Sequence, residues 1–152
     1  MHPRVAMLRK TLRTTRKPAG YPLVFNHLGD HIRAKRLDLG LQIKQLARQL
    51  GTDEGSVASW EQGGRKPSLR KLPKVLGFLG YDSRPNPCTF GGRLRKCRTG
   101  LGLSTRQLSA RLDVDASTLK CWERGEHAPI ERHRQTIISL LGDLLLTFGK
   151  AT

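Results

Sequence analysis

The feature that most constrains this chain is that it repeats itself. Sliding the sequence by 62 positions lays Leu28–Gly80 over Phe90–Gly142 without a gap. Matched pairs run through the whole stretch: Gly29/Gly91, Arg33/Arg95, Arg36/Arg98, Leu39/Leu101, Gly40/Gly102, Leu41/Leu103, Gln45/Gln107, Leu46/Leu108, Leu50/Leu112, Asp53/Asp115, Trp60/Trp122, Glu61/Glu123, Gly63/Gly125, Pro67/Pro129 and Arg70/Arg132. Both tryptophans of the chain fall on this register. The chain therefore reads as two copies of one small unit, 28–80 and 90–148, the second with an apolar extension. Residues 81–89 join them, stiffened by Pro85 and Pro87. With 152 residues in all, each copy must build a small core, and no room is left for a large enzyme.

Apolar residues within each copy recur at helical spacing, so the class is all-α. In copy 1, Leu28, Ile32 and Leu37 predict a first helix ending near Gly40, and Ile43, Leu46, Ala47 and Leu50 a second, broken at Gly51. Asp53 is placed to cap a third helix whose inward face holds Val57 and Trp60. Asp115, Leu119 and Trp122 repeat that pattern, and Ser104 with Gln107 fits a capping box. Gly63 and Gly125 end the third helices. Closing helices are predicted over Leu69–Leu79, with Pro73 at the first position, and over Ile130–Phe148.

Helix, short turn and second helix of about two turns is a helix-turn-helix arrangement. Leu39-Gly40-Leu41, Gln45-Leu46-Ala47, Leu50-Gly51, Trp60-Glu61-Gln62-Gly63 and Pro67 resemble the phage-repressor and Cro, or XRE, family. Leu101-Gly102-Leu103-Ser104, Gln107-Leu108, Trp122-Glu123-Arg124-Gly125 and Pro129 resemble it again. The resemblance implies two tandem five-helix, lambda-repressor-like bundles whose third helix enters the major groove of DNA. It also implies structural ion pairs, Arg36 with Glu61 and Arg98 with Glu123, tying the first helix to the end of the third. One departure stands out: where the family places Gln at the start of the second helix, to touch a phosphate, this chain has Ile43 and Thr105.

Charge agrees with a polyanionic partner. Lys and Arg number 28 against 12 Asp and Glu, a net +16. Residues 1–27 carry Arg4, Arg9, Lys10, Arg13, Arg16 and Lys17 and no acid, which reads as a flexible basic arm. With Val57 and Trp60 inward, the outward positions of copy 1 are Glu54, Gly55, Ala58 and Ser59, with Ser56 beside them and Arg65 and Lys66 just beyond to hold phosphates. Glu54 can accept from cytosine N4, but no cation is there to read guanine. Copy 2 presents Ala116, Ser117, Lys120 and Cys121, followed by Arg124. Lys120 can donate to guanine O6 and N7, and Ala116 can meet a thymine methyl.

These readings predict a sequence-specific, double-stranded DNA-binding transcriptional regulator, bacterial and cytoplasmic, at the nucleoid. The alternative is an adaptor whose first copy holds a protein partner, a toxin or a mobile-element recombinase, while the second binds DNA. Leu144, Leu145, Leu146 and Phe148, which copy 1 lacks, raise a homodimer through the C-terminal helix as a further option. Other chemistry is thin. Cys88, Cys97 and Cys121 are odd in number and lack C-x-x-C spacing, against a disulfide framework or zinc knuckle. His27 and His31 lack further ligands for a metal. No phosphate loop, H-E-x-x-H or nucleophile arrangement occurs, so neither cofactor nor catalysis is expected. Ile137–Phe148 is too short to span a bilayer and carries Asp143, and no secretory signal is visible, so no membrane partner is expected.

Overall fold

A computed structural model describes residues 17–147 of the chain, with side chains to Gly142. Eight helices and no strands occur among the described residues. Copy 1 comprises α1 (Leu28–Asp38), α2 (Ile43–Leu50), α3 (Glu54–Glu61) and α4 (Leu72–Leu79). Copy 2 comprises α5 (Phe90–Gly100), α6 (Thr105–Leu112), α7 (Ala116–Arg124) and α8 (Glu131–Thr147). The all-α class holds. Each copy has four helices, as the apolar pattern predicts, rather than the five that the family resemblance implies. Leu69 to Lys71 make only a turn, and α8 runs on without a break.

Local chemistry starts the helices where predicted. The Asp53 carboxylate accepts from the Ser56 backbone at 2.7 Å, and Ser104 and Gln107 close a reciprocal capping box at 3.2 and 2.8 Å. Gln42 with Gln45 and His27 with Asp30 form two further boxes. Two details differ from expectation. Asp115 occupies the cap position of α7, but its side chain makes no capping bond. The last helix of copy 1 begins at Leu72, so Pro73 stands at its second position, where its missing N–H still costs no helical bond.

Each copy encloses its own core, and the two cores superpose on the repeat. Ile32, Leu46, Leu50, Val57, Trp60, Val75 and Leu79 fill the first. Leu94, Leu108, Leu112, Leu119, Trp122, Ile137 and Leu141 fill the second, every one 62 positions on. The tight approach of first to third helix rests on glycine. A Cβ on Gly29 would lie 1.8 Å from the Trp60 carbonyl oxygen, and one on Gly91 2.0 Å from that of Trp122.

The copies are joined through α4 against α5, and the connection between them is anchored. The Asp82 side chain is fully buried and accepts the Arg84 fork at 2.9 and 2.7 Å. Arg84 also donates to Thr99 Oγ1 and to the Lys96 carbonyl, while Lys96 Nζ donates to the Arg84 carbonyl. Of the expected arm over 1–27, residues 1–16 lie outside the described residues. The remainder follows α1: Tyr21 Oη donates to Asp38 at 3.2 Å, and the Phe25 ring lies 4.8 Å from His31.

Candidate nucleic-acid interface

The third helix of each copy is held by the same three-point clamp. Arg36 Nε and Nη2 donate to Glu61 at 2.6 and 2.7 Å, and Nη1 donates to the Leu41 carbonyl at 2.9 Å. Arg98 makes the corresponding bonds to Glu123 at 2.5 and 2.8 Å and to the Leu103 carbonyl at 2.9 Å. One guanidinium thus joins the first helix, the turn before the second and the last turn of the third, and acceptance by Glu61 raises the pKa of Arg36. Both ion pairs are buried, so they fix geometry more than they add stability. The turn between second and third helices enters the left-handed region at Gly51, φ +64°, and at its repeat equivalent Asp113, φ +54°. Asp tolerates that region better than most side chains.

With Val57 and Trp60 buried, α3 turns its other face outward. Glu54, Gly55, Arg65 and Lys66 are exposed there, and Ser56, Ala58 and Ser59 are half-buried. The Ser56 hydroxyl donates to Asp53 at 2.7 Å, so it serves the helix cap first. In copy 2, Ser117, Lys120 and Arg124 are exposed and Ala116, Cys121 and Thr105 half-buried.

The structure brings some of these residues together and leaves others apart. Thr105, Lys120 and Arg124 line one shallow recess with Arg95 and the Arg98–Glu123 pair. Ala116, Ser117 and Cys121 share the helix but not the recess. Arg95 was missed by reasoning on the third helix alone. Its signal was the Arg33/Arg95 identity, one turn before the clamping arginine on the same helix. The repeat equivalents of the recess in copy 1 are Arg33, Arg36, Ile43, Ala58, Glu61 and Gln62, so the third helix there offers no cation. Arg124 is also paired with Glu126 at 2.9 Å, in water and therefore weakly.

His27 and His31 are engaged in structure. His27 Nδ1 accepts from the Asp30 backbone, and His31 Nδ1 lies 2.9 Å from Tyr81 Oη. Among the described residues no three His, Cys, Asp or Glu side chains gather as a metal site, and no helix is long and apolar enough to cross a membrane. Burial pushes the His31 imidazole below its ordinary 6.5, with His27 adding to the shift and Asp30 opposing it. Protons then bind the unfolded chain more readily, so stability should be full above pH 6.5 and fall as the pH drops through the window below it. Thermal melts at pH 7.5 and 5.0 should show that loss, and His31→Gln should reduce it. An unchanged slope in the variant would assign the loss to other groups.

Comparison with known proteins agrees with this geometry for the first copy. Residues 32–85 match the family HTH_3, helix-turn-helix, a span that runs from within α1 through α4 into the connection. No curated protein and no solved structure gives a match. The α2–turn–α3 pair, its buried tryptophan and its arginine clamp lie inside the matched span, so residues 32–85 are similar to a helix-turn-helix unit in sequence and have its helical arrangement.

Proposed function

We propose that the chain is a sequence-specific regulator of transcription that binds double-stranded DNA through two tandem helix-turn-helix modules, 28–80 and 90–148. The observation that carries this reading is the recess on copy 2, where Lys120 and Arg124 of α7 meet Arg95 and Thr105 opposite the buried Leu119 and Trp122. A helix fixed by a buried clamp, with cations on its free face, suits a major groove. In this reading α7 carries most of the sequence information. Arg65, Lys66 and the basic start of the chain add phosphate contacts, and bound protein acts by occupying its site. Cytoplasmic placement at a bacterial nucleoid follows from that function.

Selection of bound duplexes from random DNA tests the proposal directly. Because the outward faces of α3 and α7 differ, the selected site should be non-palindromic. Perfect inverted repeats bound by two chains would instead support a homodimer through α8, on which Ile138 and Leu140 are exposed. The side chains of Leu144, Leu145, Leu146 and Phe148, on which that option was raised, lie outside the described residues. Affinity should fall steeply with salt, log K against log salt sloping about −0.9 per phosphate neutralised. A slope near zero would remove duplex DNA as the partner.

Lys120→Ala should cost about 1–3 kcal/mol at the selected site and relax preference at one or two positions. Glu54→Ala should leave affinity unchanged or improve it by relieving repulsion from phosphates. Relaxed specificity at one cytosine would show that copy 1 also reads bases. The adaptor reading is favoured by one observation, the acidic, cation-free outward face of α3. In that case Glu54→Ala changes nothing on DNA but weakens the protein complex purified from the native host.

A further inference from the structure

A recess of about 640 Å³ opens between the residues preceding α1, the loop after α3 and residues 83–85 of the connection, with Thr99 of α5 at its edge. That volume lies within the range of small-molecule sites. Its walls are largely apolar, with Phe25, Trp60, Leu69 and Pro85 among them. Arg65, Lys66 and Arg84 also line it, and no carboxylate does. The Arg84 fork is spent on Asp82, Thr99 and the Lys96 carbonyl. Arg65 and Lys66 are exposed and form no ion pair among the described residues. The Ser83 hydroxyl, also in the lining, is buried without a hydrogen-bond partner, a state that costs free energy until a partner arrives.

We infer that this recess binds a small amphipathic anion, one or two apolar ring systems carrying a single carboxylate or sulfonate. The rings lie among Phe25, Leu69 and Pro85, and the anionic group meets Arg65, Lys66 and the Ser83 hydroxyl. Because Arg65 and Lys66 are also assigned to DNA phosphates, ligand and duplex weaken one another by the same factor. That coupling rests on the DNA reading. Binding of the ligand to the free chain does not.

The test is titration of the full chain with 8-anilinonaphthalene-1-sulfonate, followed by fluorescence, beside N-phenyl-1-naphthylamine, which has the same rings without the sulfonate. The sulfonate should saturate one site and bind at least tenfold tighter than the neutral amine. The double variant Arg65→Gln, Lys66→Gln should lose about tenfold, and Ser83→Ala a few-fold, with melting curves like the parent's. Equal affinity for both dyes, binding that does not saturate, or an unaffected double variant would overturn the assignment. On the unmodified chain, amide and indole resonances of Ser83 and Trp60 should shift as the sulfonate is added, without recourse to variants. Shifts centred on Ile138 and Leu140 of α8 would instead mean adsorption to another apolar face and would overturn it. If the sulfonate binds as expected and duplex DNA neither binds nor competes, the DNA reading fails alone.

Discussion

Glu61→Ala is expected to destabilise copy 1 by about 3–5 kcal/mol, because it strands the buried Arg36 guanidinium without its counter-charge. Arg36 is 8% exposed and Glu61 6%, so water cannot take over the lost partner. A unit of this size holds only about 3–8 kcal/mol, and its Tm should drop by about 10 °C or more. Thermal and urea unfolding would measure the loss. The double replacement Arg36→Met, Glu61→Leu should recover much of it, because it removes both charges together, although the Leu41 carbonyl is then left without its donor. A single variant within 1 kcal/mol of the parent would show that the pair is solvated. Glu123→Ala is the counterpart in copy 2. If the chain binds duplex DNA as proposed, comparing binding by the two variants at a temperature where only the altered copy melts tells which copy that binding requires.

Gly29→Ala reverses the usual sign of a helical substitution. Alanine in place of glycine inside a helix normally gains about 0.8–1.0 kcal/mol. Here the new methyl would stand 1.8 Å from the Trp60 carbonyl oxygen, so α1 and α3 must separate by more than an ångström. Overpacking of this kind costs about 1–3 kcal/mol, and the upper end applies because the obstacle is backbone, which has no rotamer to change. The separation also stretches the Arg36–Glu61 clamp, so the two effects compound. Gly77→Ala is the internal control. It sits exposed in α4 with nothing within 4 Å of its added carbon, and it should gain stability. Equal effects at Gly29 and Gly77, measured by melting, would refute the close contact.

Much of the fold is legible in the chain because its causes lie within a few residues of one another. Apolar spacing three and four apart identified the helices, and the Asp53 and Ser104 caps were read from side chains three residues from the amides they hold. The repeat then paired the cores position by position, Val57 with Leu119 and Val75 with Ile137. Of the candidate site, the outward faces of α3 and α7 follow from the same periodicity once the tryptophans are turned inward.

Tertiary structure decided whatever depends on residues far apart in sequence. Arg95 joins Lys120 across 25 positions, and nothing local announces that two helices will bring their cations to one recess. Gly29 and Gly91 showed as identities, but only the approach of a carbonyl from the third helix supplies the reason. Asp115 has the right position and residue type for a cap, yet no capping bond forms, so sequence spacing was necessary and not sufficient. Residues 81–89 read as a stiff spacer, whereas Asp82, Arg84 and Lys96 anchor the connection to α5. The sequence by itself determined two all-α units, most of their helix caps and breaks, and the face each third helix buries, because backbone hydrogen bonds and helical periodicity act over one or two turns. The clamp geometry, the cation recess and the anchored connection belong to the tertiary structure, because burial and charge pairing depend on which distant surfaces meet.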